Sequence, residues 1–258
     1  MSSILTEIIG QVLKITLNRP EKFNSFNREM SLQLQAALDS AANDKSIRCI
    51  YLSGEGKAFC AGQDLSEAID PAGPGIKNIV EEHYNPIIRK IREIEKPIVC
   101  AVNGIAAGAG ANIALACDVV IAAGSASFLQ AFSKIGLIPD SGGTFFLPRL
   151  IGLGKASALM MLGDKVTASD AERMGMIYKV CEDSNLATEA MATATMLASM
   201  PTKGIGLTKR LLNQSMSNNL IEQLTAEATK QVIAASTYDY KEGVSAFLEK
   251  RKAVFKGE

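Results

Sequence analysis

The chain has 258 residues, and its 27 basic and 27 acidic side chains give a formal net charge of zero, so neither a nucleic acid nor an anionic membrane surface is implied as a partner. That length can bury a large core and fits one sizeable domain, or a domain with a small appendage. No stretch is apolar for long enough to cross a bilayer.

In chain order, Val12–Leu17 alternates apolar and polar residues and stops at Asn18-Arg-Pro20, which predicts a strand. Met30, Leu34, Ala37, Leu38 and Ala41 recur at helical spacing behind a cap at Asn27 or Ser31. Residues 47–52 read as a buried parallel strand closed by Ser53-Gly-Glu-Gly56. Asp70-Pro-Ala-Gly-Pro-Gly75 is a surface loop, and helical spacing resumes over Asn78–Ile94. Pro97 ends that helix, and the β-branched run Ile98–Val102 is a second buried strand. A helix starts near Ala109 and a strand follows at Val119–Ala122. Strands that feed small-residue turns and then helices predict an α/β core with crossovers. Beyond about Gly152 the strand signals cease, and residues 156–162, 168–174, 185–200 and 220–235 are helical in pattern.

The five cysteines are odd in number, scattered among apolar neighbours and without a CxxC pair, which predicts buried thiols in a reducing compartment. With His83 the only histidine, no metal site is expected. Met1-Ser-Ser-Ile-Leu-Thr-Glu7 lacks a basic region followed by an apolar core, so no secretory leader is expected and the location is predicted to be cytoplasmic.

Three loops stand out: Lys57-Ala-Phe-Cys-Ala-Gly-Gln-Asp-Leu65, Asn103-Gly-Ile-Ala-Ala-Gly-Ala-Gly-Ala-Asn112 and Gly136-Leu-Ile-Pro-Asp-Ser-Gly-Gly-Thr144. A dinucleotide fingerprint fails, because Gly108-Ala-Gly110 has no third glycine and sits in the third βα unit. Gly154-Lys-Ala-Ser157 fails as a phosphate loop in its glycine spacing and in the residue after lysine. Tight helix–sheet packing explains the composition of one loop but not a second matching loop and a downstream acid. An oxyanion hole accounts for all three. Thioester chemistry at the α-carbon requires two convergent backbone N–H donors for the enolate oxygen. A helix N-terminus supplies one and a glycine-containing turn the other. The carboxylate of Asp140 then moves the proton, with burial among Phe132, Leu137 and Ile138 raising its pKa. The plainer role for Asp140 is a local cap of the Gly142 turn.

These loops, together with Asn18-Arg-Pro20, Ile138-Pro-Asp-Ser-Gly-Gly-Thr144 and Gly243-Val-Ser-Ala-Phe-Leu-Glu-Lys-Arg251, resemble the crotonase (enoyl-CoA hydratase/isomerase) superfamily over nearly the whole chain. The resemblance implies an α/β fold, a spiral of ββα units with two sheets, spanning residues 1–195. A helical oligomerisation region would follow over 196–258. It implies oxyanion N–H groups at Gln63 and Ala109, and a coenzyme A and substrate pocket along Ala61, Gly62, Gln63, Asp64, Leu65 and Phe132. Phe247 and Lys250 match positions that reach a neighbouring subunit's nucleotide. It further implies an acyl-CoA substrate with no separate cofactor, and a homotrimer, commonly paired into a hexamer. Hydratases of the family place glutamates where this chain has Asn112 and Phe132, whereas Asp140 matches an aspartate of family isomerases. The expected activity is therefore isomerisation of an acyl-CoA, on a ring epoxide or an unsaturated chain. Hydration, or a non-catalytic coenzyme A-binding module, are the alternatives. Phenylalanines and methionines are expected to line the acyl pocket, with Tyr84 and Pro86 in the stretch that shapes specificity.

Overall fold

The computed structural model describes residues 2–258; Met1, where the expected leader-free stretch and the core segment begin, lies outside them. Among the described residues, ten strands form two sheets, and their order shows the repeat that builds the molecule. β1 (Ile4–Ile9), β2 (Val12–Leu17) and α1 (Arg28–Asn43) open the chain. Asn27 caps α1 by accepting the Met30 N–H. A longer strand, a three-residue strand and a helical segment then recur. The first unit is β3 (Cys49–Gly54), β4 (Ala58–Cys60), α2 (Leu65–Ala68), α3 (Gly75–Asn78) and α4 (Asn85–Glu93). The second is β5 (Ile98–Val102), β6 (Ile105–Ala107) and α5 (Ala109–Ala116). The third is β7 (Val119–Ala123), β8 (Ser127–Leu129), α6 (Gly143–Ile151) and α7 (Leu153–Leu162).

The longer strands pair in the order β1-β2-β3-β5-β7-β10, all parallel except β1 with β2. The short ones pair as β4-β6-β8-β9. β4, β6 and β8 run parallel, so their carboxyl ends emerge side by side. Ile98, Val99, Cys100, Ala101 and Val102 are all buried, as expected of a central parallel strand covered on both faces.

Strand signals do not cease at Gly152. β9 (Lys165–Thr167) closes the small sheet, and after α8 (Ala168–Arg173), β10 (Lys179–Cys181) closes the large one. Each is three residues long, too short to carry a period. α9 (Leu186–Ser199) packs against β3, β5 and β7. It runs unbroken through residue 195, so the division expected there falls inside a helix, and the chain next turns at Met200–Pro201. α10 (Thr202–Gln214), α11 (Leu220–Ala235) and α12 (Tyr238–Leu248) complete the chain. α10 is tied to the core by Lys209, whose buried ammonium meets Asp118 at 2.7 Å, while Arg92 bonds Asp118 and Asn213. Among the described residues, no helix is long and apolar enough to cross a membrane.

Candidate active site

The first two loops singled out in the sequence leave the carboxyl ends of β4 and β6, and the third follows β8 after a short 3-10 turn at Ala131–Ile135; the three strands are adjacent and parallel. In open α/β sheets that edge is where ligands bind.

The first loop is moulded by the segment before α1. Phe23 and Asn24 both have positive φ, and the buried Asn24 donates to the carbonyls of Glu55 and Ala58 while accepting the Arg19 N–H. Phe23 accepts the Ala61 N–H, and Phe26 both donates to Gly62 and accepts from Asp64. Gly62, at φ +94°, sits where a β-carbon would come within 3.0 Å of the Ala107 carbonyl oxygen and 3.7 Å of the Ala109 nitrogen. The first and second loops therefore touch. Asp64 has a carboxylate engaged with Arg19 at 2.9 Å and with Ser66. Burial opposes its ionisation, but Ser66 and Arg19 outweigh that and hold it below the ordinary value. It braces the turn and caps α2. Ala61 and Leu65 lie exposed beside it.

Gly108, at φ +53° and ψ −126°, starts α5, all eight residues of which are buried. Gly110 lets this helix end press on the first loop, since a β-carbon there would lie 2.5 Å from the Cys60 carbonyl oxygen. Burial pushes the Cys60 thiol up to about 12, so at neutral pH it is a packed sulfur and not a nucleophile. Among the described residues, neither the Gln63 N–H nor the Ala109 N–H donates to a protein acceptor, while Gly62, Asp64 and Gly108 beside them all do. Two free backbone donors on touching loops, one at a helix N-terminus, suit a developing negative charge on oxygen.

Asp140 lies on the third loop, at the turn into α6. Burial raises its carboxyl above the ordinary range, and the Ser141 hydroxyl at 2.9 Å offsets part of that. The expected source of that burial is only partly correct. Ile138 is 81% exposed and Leu137 is also exposed, because this stretch runs over the surface. There Leu137, Ile138 and Pro139 border an apolar groove of about 380 Å³ with Pro148, Met160 and Met161. Asp140 is desolvated from the inner side, where Ser141 is buried and Gly143 lies against Asn112. Phe132 is buried as expected, with its ring against Gly108.

The turn is held by a polar relay that local sequence patterns do not disclose. Asn112, fully buried on α5, donates to the Asp140 carbonyl at 2.9 Å and accepts from the buried Gln130 at 2.7 Å. Its only sequence signal is an amide inside a run of alanine and isoleucine. Asn112 thus braces the Asp140 backbone, and it offers no carboxylate. Phe247 and Lys250 are not brought to these loops within one chain. Phe247 is 83% exposed and lines an apolar groove of about 420 Å³ with Tyr240, Val244, Leu248 and Phe255, and Lys250 is exposed just beyond α12. Tyr84 is fully buried, with its hydroxyl donating to the Gln63 side chain.

Comparison with known proteins agrees with this architecture. The chain belongs to the enoyl-CoA hydratase/isomerase family, whose profile matches residues 7–258. It shares the crotonase fold and is an enzyme of that family. It is 48% identical, over the full length of both chains, to 1,2-epoxyphenylacetyl-CoA isomerase of Escherichia coli K12. It is 36% identical to trans-2-decenoyl-[acyl-carrier-protein] isomerase of Streptococcus mutans, covering 99% of this chain and 98% of the other. The crystal structure of an enoyl-CoA hydratase from Polaromonas sp. JS666 superposes with a TM-score of 0.91 at 34% identity, covering 98% and 99% of the two chains.

Proposed function

We propose that this protein is an acyl-CoA isomerase in which Asp140 removes a proton from the carbon next to the thioester. The thioester oxygen accepts from the N–H groups of Gln63 and Ala109 as the enolate forms, and the proton is returned farther along the acyl group. The observation that carries this reading is a partly buried carboxyl at Asp140, raised by that burial, with no carboxylate at Asn112 or Phe132. One carboxylate suffices to take and return a single proton, whereas adding water requires acid and base work on the water as well. A raised pKa also makes Asp140 a stronger base.

The substrate is 2-(1,2-epoxy-1,2-dihydrophenyl)acetyl-CoA, and the product is the oxepin thioester of phenylacetate catabolism. Support comes from the 48% identity to an enzyme of that name and from a flat ring, Phe132, beside Gly108. Coenzyme A enters as part of the substrate along Ala61, Gly62, Asp64 and Leu65, and no separate cofactor takes part. The exposed Phe247 and Lys250 complete the nucleotide site of a neighbour in a cytoplasmic homotrimer, itself paired into a hexamer. A double-bond shift in unsaturated acyl-CoA is the second reading, favoured by the identity to a decenoyl isomerase. Side-by-side turnover of epoxyphenylacetyl-CoA, cis-3-hexenoyl-CoA and crotonyl-CoA tests these assignments. Preference for the epoxide is expected. Conversion of only the linear 3-enoyl chain contradicts the ring substrate, and rapid hydration of crotonyl-CoA contradicts the isomerase class.

A further inference from the structure

Tyr84 is buried, belongs to none of the three loops, and closes an irregular turn. Residues Ile79–Tyr84 form a π-helical turn between α3 and α4, and the Asn85 N–H reaches back to Val80. The irregularity has a local cause in Pro86, which has no N–H for the carbonyl of Glu82. Gln35 of α1 takes over, donating to the carbonyls of Glu82 at 2.8 Å and His83 at 3.2 Å. The widened turn is thus fixed from outside and not frayed.

At its end, the Tyr84 ring packs on Phe26 with centroids 5.9 Å apart, and its hydroxyl donates to Gln63 Oε1 at 2.8 Å. Gln63 Nε2 in turn donates to Glu67 at 3.0 Å, and Glu67 accepts the Arg28 N–H at 2.9 Å. Phe26 is the residue that brackets Gln63 with backbone bonds on either side. Tyr84 therefore holds both the side chain of Gln63 and the ring of the residue that sets its backbone, while the Gln63 N–H itself stays free.

We infer that Tyr84 is a positioning residue, whose hydroxyl fixes the direction of the Gln63 N–H toward the enolate oxygen. This rests on the proton-transfer reading above. Donors aimed in advance at developing charge stabilise the transition state, and small misplacement is costly there while leaving remote coenzyme A contacts intact.

Tyr84→Phe keeps the ring and removes one hydrogen bond. The readout is enzyme-dependent washout of α-deuterium from phenylacetyl-CoA, with kcat and KM measured separately. Tyr84→Phe is expected to lower kcat on the order of tenfold, within what misplacing a reacting group costs, with KM nearly unchanged. Gln63→Ala retains the backbone donor but not the grip, and it should lower kcat similarly. Adding Tyr84→Phe to Gln63→Ala should then change nothing further, since the two act through one contact. Wild-type kcat for Tyr84→Phe overturns the inference, as does an undiminished effect in the Gln63→Ala background. Asp140→Asn run in parallel separates the two claims. If it abolishes washout while Tyr84→Phe is normal, only the positioning role fails. If it leaves washout intact, the proton-transfer reading fails and this inference with it.

Discussion

α5 and α11 both carry alanine and aliphatic residues, yet every residue of Ala109–Ala116 is buried and none of Leu220–Ala235 is. The difference lies in what surrounds them. α5 is inserted between the small sheet, α4 and α6, with Gly108 and Gly110 permitting contact at its start. α11 lies on the outside with Leu220 and Ile221 more than 70% exposed, although its Asn219–Glu222 capping box is complete. Local signals made both helices, but only α5 is held in place by the chain's own core. On the proposed mechanism α5 must aim the Ala109 N–H at the thioester oxygen, and that support would hold it there. A helix without such support that exposes Leu220, Ile221, Leu224 and Val232 is suited to meeting another subunit.

The sharpest way to break the comparison is Gly110→Ala. The added methyl would meet the Cys60 carbonyl and sulfur at 2.5 and 2.6 Å, with backbone on one side and little room to yield. Overpacking of this kind costs about 1–3 kcal/mol, and the shift of α5 should abolish turnover. Thermal unfolding and a rate assay check both. Asn112→Ala comes next. It frees the Asp140 carbonyl and leaves the Gln130 amide unpaired, for a loss of about 1–3 kcal/mol on denaturant unfolding. Turnover should fall more than substrate binding. On α11, Ile221→Glu should cost less than about 0.5 kcal/mol in the unfolding of a single subunit, because the site is exposed. It should shift sedimentation equilibrium toward monomer. An oligomer unchanged by it would remove α11 from the proposed subunit contact.

The pH dependence of Asp140 sharpens the same contrast with the smallest stability change. Burial raises its folded-state pKa, so the folded state favours the protonated acid. The resulting penalty is absent below the unfolded pKa and grows as pH rises through the folded value. Asp140→Asn should therefore leave the melting temperature equal or higher at neutral pH, with the difference shrinking as the solution is acidified. The rate of the wild type should fall on acidification through a value above the ordinary aspartate range, since the base must be ionised.

The long strands and the helices with regular spacing were legible because burial on one face or two imposes a period. β2 and β5 fall where alternation and β-branched runs place them. β1 has no such pattern, since only Ile4 of its six residues is buried. The three-residue strands β4, β6 and β8 have no period at all, yet they align the three site loops. Those loops were readable from glycine, alanine and one acid. Their braces were not, because Asn112 acts on a residue 28 positions away and Tyr84 on one 21 positions away. Pro86 within a helical run was the available hint of the irregular turn at Tyr84.

The central claim is that Asp140 is the sole base for proton transfer at the α-carbon. The most direct measurement is the washout of α-deuterium from labelled phenylacetyl-CoA by wild type and Asp140→Asn at saturating ligand. The account predicts ready washout by the wild type and a loss of about 10²–10⁴-fold in the variant, the usual contribution of a general base. A folded Asp140→Asn protein that retains more than about a tenth of the wild-type rate, well outside that range, would contradict it.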